Sequence, residues 1–211
     1  MSKTLKMGSI SVVLILLLLL IDQCLKIYIK THMYLHESIR VTDWCYIFFT
    51  ENNGMAFGMQ IFGKLFLTSF RLIAVAVIIW CLYKFVKANL KPGFLVCVSL
   101  ILTGALGNII DSVFYGVVFS ESTFSHIATF VSQGEGYAPL LYGKVVDMFY
   151  FPLIETEWPT WMPFVGGQHF VFFSPIFNFA DSCISVGIVA LLIFYGKYVN
   201  YAFEVLKAKK S

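Results

Sequence analysis

At 211 residues, 59% of them hydrophobic and 13% charged, with a mean hydropathy of +0.81, the chain has too few polar residues to cover a soluble core of its size. It reads as an integral membrane protein. A net charge of +3 is too small to imply a nucleic-acid partner. Cys24, Cys45, Cys81, Cys97 and Cys183 follow no C-x-x-C or metal-ligand spacing, so neither a disulfide framework nor a metal site is expected, and no cofactor is implied. Cys81, Cys97 and Cys183 sit in apolar runs, where cysteine packs as a small hydrophobe.

Four apolar runs approach the roughly 20 residues that cross a bilayer. They are placed near Ile10–Ile29, Leu65–Val86, Phe94–Val118 and Pro175–Tyr198. The first begins like a secretory leader, with Lys3 and Lys6 before an apolar stretch. The residue before Cys24 is Gln23, not a small one, and the apolar pattern continues through Ile29, so a retained helix is predicted. Between the first and second runs, "WCYIFFT" is rich in strand formers, and Asn53-Gly54 in "ENNGMAFGM" is a turn signal. A short sheet on the membrane surface is the expectation there. Between the third and fourth runs lies a long stretch rich in Gly, Pro and aromatics, too interrupted to span.

Basic residues set the orientation. Lys3, Lys6, Lys84, Lys87, Lys91, Lys197, Lys207, Lys209 and Lys210 flank one side of the spans, with Glu204 the one acidic residue among them. The other side carries Glu37, Asp43, Glu51, Glu121, Glu135, Glu155 and Glu157. The positive-inside rule then puts both termini in the cytoplasm and two loops outside, at about 30–64 and 119–174. No internal repeat or linker is visible, so residues 1–211 are read as one membrane-embedded domain.

Ionisable residues inside spans are functional candidates by default, and here they gather at the outer side. Asp22 and Lys26 share a helix face at i,i+4, the arrangement of a structural ion pair. Asn108 and Asp111, after Gly104 and Gly107, suit a close helix–helix contact held by hydrogen bonds. Asp147, in "GKVVDMFYFP", and Asp181, in "FNFADS" with Asn178 one turn earlier, would each pass alone as a helix cap. As a pair in a site of low polarity they would share a proton, one activating water and the other polarising a carbonyl. A non-enzymatic multispan protein, or a proton-coupled transporter subunit, is the alternative. A proton path spreads carboxylates through the membrane, whereas these four cluster toward one side.

The motifs "DQCLK" (Asp22–Lys26), "NNGMAFG" (Asn52–Gly58), "GALGNIID" (Gly104–Asp111), "GKVVDMF" (Gly143–Phe149) and "FNFADSCI" (Phe177–Ile184) give the chain a resemblance to the lipoprotein signal peptidases, signal peptidase II. The resemblance implies a four-helix membrane protein with a small extracytoplasmic β-cradle and an aspartyl endopeptidase activity in the bacterial cytoplasmic membrane. The implied substrate is a diacylglyceryl-modified prolipoprotein, cut just before its lipidated lipobox cysteine at the outer leaflet. Carried over by motif, Asp147 and Asp181 are the catalytic dyad; Asn53, Gly54, Asn108, Asp111, Asn178 and Ala180 are supporting or substrate-binding positions; Asp22 and Lys26 are a structural pair. A globomycin-type inhibitor is expected to bind, beside membrane lipids, and a monomer is the default. The chain departs from the family in two ways. Ser112 follows Asp111 where the family usually has Arg, leaving the partner of Asp111 unassigned. Val117–Tyr142 is an insertion and Glu157–Phe170 lengthens the next loop; both are candidates for a lid or an altered substrate groove.

Overall fold

The computed structural model describes residues 3–52 and 63–207. Four of its helices are long and apolar enough to cross a membrane. Helix α1 covers Lys3–His32, α2 Lys64–Lys87, and α3 Pro92–Ile110; α3 runs on through a π-helical turn, Asp111–Tyr115, into a last short turn, α4, Gly116–Val118. Helix α5 covers Phe179–Lys207. The helices outrun the apolar stretches at their lysine-bearing ends, because helical geometry continues past the hydrocarbon wherever the backbone stays paired.

The fourth span corrects the sequence expectation at its start. Pro175 is not helical: Ile176–Phe177 is a short strand, β6, that pairs with β3 (Val145–Tyr150), and the helix begins only after Asn178. The α2–α3 corner closes by local chemistry. Asn89 takes the left-handed conformation (φ 53°), the amides of Asn89 and Leu90 return to Val86 O and Phe85 O, and Pro92 opens α3.

Helix α3 is the axis of the bundle. Its apolar window is 56% buried within the protein, against 17% for each of the others, so those three turn most of their surface outward to lipid. Two glycines allow its tight approach to α1 and α5. A β-carbon on Gly104 would strike the carbonyl oxygen of Ala180, and one on Gly107 would lie 2.5 Å from Asp22 Oδ2 and 3.0 Å from the Ala180 methyl.

On the side away from the α2–α3 corner, β1 (Ser38–Thr42), β2 (Cys45–Asn52), β3 and β6 form an antiparallel sheet in that order. A register shift in the β2–β3 pair, between Ile47 and Thr50, leaves Thr50 opposite Asp147. Side chains alternate across a strand, so Asn52 and Asp147 share one face while Glu51 and Val146 share the other. Phe49, Val146 and Met148 bury the sheet against Ile29 of α1, Met33 just past its end and Tyr115 of the π turn. A second, two-stranded sheet follows: β4 (Ile154–Glu157) with β5 (His169–Phe172). The expected "WCYIFFT" strand is β2; Asn53, Gly54 and the turn expected there lie outside the described residues.

The insertion between α4 and β3 has a fixed seat. Carbonyls of the widened turn (Ser112, Val113) and of α4 (Gly116) accept the amides of Gly143, Leu141 and Ala138. Helix ends leave such carbonyls without partners in their own helix, and the insertion supplies them. It also reaches the segment between α1 and β1, where the Leu35 amide donates to Thr123 O at 3.1 Å.

Candidate active site

Four elements converge at one end of the bundle, and each contributes a polar side chain where hydrocarbon would be expected. Asn178 is the N-cap of α5: its Oδ1 accepts the Asp181 amide at 2.9 Å, and Asp181 Oδ2 accepts the Asn178 amide at 3.3 Å. This is a reciprocal capping box, with a carboxylate in the first turn favoured by the helix dipole. Asp181 thus does cap its helix, and still has Oδ1 directed elsewhere.

That oxygen accepts Asn108 Nδ2 at 2.8 Å. Asn178 Nδ2 donates to Asn108 Oδ1 at 3.1 Å and to Asp147 Oδ1 at 2.6 Å. The second oxygen of Asp147 accepts from Asn52 Nδ2. An amide bridge, Asn108 with Asn178, therefore joins the two carboxylates expected to form the dyad. Asp147 is 2% exposed, on strand β3, while Asp181 is half-buried. Among the described residues neither makes an ion pair. Arg71 of α2 attracts both at longer range. Burial, and then the charge of Asp181, push the Asp147 carboxyl up to about 7, against the pull of the Asn178 hydrogen bond, the Lys26 charge and the Asn52 hydrogen bond.

The supporting charges are arranged differently. Lys26, wholly buried, binds Asp111 Oδ2 at 2.8 Å, Asp22 Oδ2 at 3.1 Å and Asn108 Oδ1 at 2.9 Å. The pair expected from i,i+4 spacing is present, and it extends to Asp111. The partner that Ser112 cannot supply comes from α1. Ser112 instead turns back, its Oγ donating to Asn108 O at 2.9 Å. Asp22 Oδ1 accepts the Ala180 amide at 2.9 Å, and Asp111 Oδ2 accepts the Val146 amide at 3.3 Å, so the cluster pins both the start of α5 and the strand carrying Asp147. Gln23 joins Asp22, Asp111 and the Gly107 carbonyl through its amide, and Tyr115 donates to its Oε1 at 3.1 Å.

The sequence reading missed Asn52, Gln23 and a second buried cluster. Lys30, one more i+4 step along the face of Asp22 and Lys26, pairs with Glu51 and donates to Ser122 Oγ at 2.9 Å, which in turn donates to Glu51 Oε1 at 2.9 Å. Lys30 also stands over the rings of Tyr137 and Phe119 at 4.9 and 5.5 Å. Lys144 faces Glu51 Oε2 at 3.6 Å. The signal was the repeat Asp22, Lys26, Lys30 in an apolar helix. No cluster of potential metal ligands occurs among the described residues.

The model of the Signal peptidase (SPase) II family matches residues 14–196. The chain belongs to the lipoprotein signal peptidase family. It is 51% identical to a lipoprotein signal peptidase of Porphyromonas gingivalis, over 93% of this chain and 87% of that one. It is 34% identical to one of Amoebophilus asiaticus, over 84% and 74% of the two chains. A solved structure described as a bacterial membrane enzyme superposes with a TM-score of 0.57 at 25% identity, covering 88% of this chain and 91% of that one. A second, at 24% identity and a TM-score of 0.60, shares the fold. As a signal peptidase II relative, the chain is a peptidase of a multi-pass bacterial membrane family.

Proposed function

We propose that this peptidase cuts diacylglyceryl-modified prolipoproteins immediately before the lipidated lipobox cysteine, using Asp147 and Asp181 as a water-activating pair. The observation that carries the reading is the amide bridge: two carboxylates held by Asn108 and Asn178, without an ion pair among the described residues, where burial lifts one of them toward neutral pH. A carboxylate fixed by neutral donors keeps the choice of ionising or holding a proton, as a general acid or base must.

In this mechanism the pair holds one proton, resident mainly on the more buried Asp147. Ionised Asp181 removes a proton from water as the water attacks the scissile carbonyl. Asp147 donates a hydrogen bond to the carbonyl oxygen, whose charge grows in the tetrahedral intermediate. Collapse of that intermediate breaks the C–N bond, and the proton taken by Asp181 passes to the leaving amine of the lipidated cysteine. No covalent enzyme intermediate is formed. Asn108, Asn178 and Asn52 fix the carboxylates, while the Lys26 cluster holds the two elements that carry them; Asn53 and Gly54 are further positions of the site by motif.

The termini are cytoplasmic and the dyad lies near the outer leaflet, as the lysine distribution implies. The lipidated signal helix reaches it sideways from the bilayer, a globomycin-type inhibitor occupies the same groove, and the working unit is one chain. The test is purified protein with a diacylglyceryl prolipoprotein, the product identified by mass spectrometry. A new N-terminus at the lipidated cysteine, blocked by globomycin, is expected. Cleavage elsewhere, or equal cleavage of the unlipidated precursor, would overturn the substrate assignment.

A further inference from the structure

The β4–β5 hairpin has two unlike faces. Its register sets Ile154 opposite Phe172 and Thr156 opposite Phe170, with Glu155 opposite Val171 and Glu157 opposite His169. Directly opposed residues share a face. One face therefore carries Ile154, Phe170 and Phe172, extended by Trp158, whose ring packs 4.7 Å from Phe170; Thr156 is its polar exception. The other carries Glu155, Glu157 and His169, with Val171 its apolar exception. A lone two-stranded hairpin is marginal in water, yet every residue of β4 is exposed.

The tip sharpens the contradiction. Trp161 is 78% exposed and Phe164 97% exposed. Phe164 holds φ 70°, a left-handed backbone that bulky residues rarely adopt, and its ring points away from the protein. The roots of the hairpin lie at the edge of the spans: β3 enters it from Asp147, and β6 leaves it for the first turn of α5. Farther along α5, within the span itself, Val186 and Val189 are exposed as well.

We propose that the β4–β5 hairpin is an interfacial anchor: its Ile154–Phe170–Phe172 face and its Trp161–Phe164 tip lie in the headgroup and upper acyl layer of the bilayer, on the side of Asp147 and Asp181. The Glu155–Glu157 face stays in water. Lipid covers what water would penalise, and aromatic tips are suited to that layer. The inference goes beyond the peptidase assignment and needs only that the hairpin root lies at the membrane boundary.

The experiment places the protein in nanodiscs whose phospholipid carries bromine either high or low on the acyl chain. The fluorescence of Trp161 is taken as wild type minus Trp161→Phe. Loss of that signal with the shallow bromine, and little loss with the deep one, is expected without substrate, matching a burial of about 5–10 Å. Phe164→Trp in the Trp161→Phe background is a second reporter should the difference be small, and it is expected to respond in the same way. A signal indifferent to both bromines would overturn the anchor. Quenching that begins only when a diacylglyceryl prolipoprotein is added would overturn it too, by making the substrate the occupant. Cleavage activity is read separately, so inactive protein with a quenched Trp161 would fail the peptidase mechanism and leave the anchor standing.

Discussion

Four buried or half-buried carboxylates meet around Asn108, and they are held in two ways. Asp22 and Asp111 are bound to Lys26, at 3.1 and 2.8 Å. Asp147 and Asp181 are bound to the amides of Asn52, Asn108 and Asn178. A carboxylate paired with a buried ammonium has a structural worth, since losing either partner strands a charge. A carboxylate held by neutral donors is oriented without being committed to one protonation state. The Lys30–Glu51 pair on the opposite face of β2 belongs to the first kind. Within a few residues, the same chemistry serves as scaffold or as reagent according to its partner.

That contrast separates effects on rate from effects on stability. The largest expected effect is on rate: Asp147→Asn or Asp181→Asn lowers cleavage by about 10²–10⁴-fold, the range of acid–base catalysis, while the protein keeps its fold in detergent. Steady-state cleavage beside a thermal melt checks it. Next comes Lys26→Met, which leaves Asp22 and Asp111 buried without their cation and destabilises by about 3–5 kcal/mol; a collapse in melting temperature is expected, with a loss of turnover in the surviving folded fraction smaller than that of either dyad variant. Lys30→Met is expected to lower the melting temperature likewise, and Glu51→Gln added to it should recover part of the loss, because no charge is then left buried without its partner. The smallest stability effect is Asn178→Ala, about 1 kcal/mol for the lost cap, and here the rate should fall further than the melt, since the amide also holds Asp147.

Much of the bundle was legible because chain length against bilayer thickness leaves few alternatives, and because Asp22, Asp111, Asp147 and Asp181 stand out in apolar sequence. What Asp111 pairs with was not legible. The answer, Lys26, depends on how closely α1 and α3 approach, and that is set at Gly107 in three dimensions rather than by neighbours in the chain. The start of the last span was misplaced because "SPIF" is apolar enough for a helix, yet Ile176 and Phe177 are claimed by β3. Lys30 and Glu51 were overlooked since a lysine near a helix end ordinarily reaches water, and only the folded insertion buries this one through Ser122, Phe119 and Tyr137. The roles of the two lengthened stretches were likewise open in sequence. The first completes helix-end hydrogen bonds and covers Lys30; the second forms an amphipathic hairpin.

The pH dependence of cleavage tests the amide-held pair most directly. Asp147 is lifted to about 7 by burial and by Asp181. A carboxyl raised in the fold binds its proton more tightly there than in the unfolded chain, so native stability falls as pH rises from about 4 toward 7, and the protonated acid is lost through the same interval's upper end. With prolipoprotein well below KM, so that the rate follows kcat/KM and the ionisation of the free enzyme, cleavage measured between about pH 5 and 9 should decline through about 7, approaching tenfold per unit above it. A rate level from about 6 to 9 would contradict a dyad that works by sharing one proton.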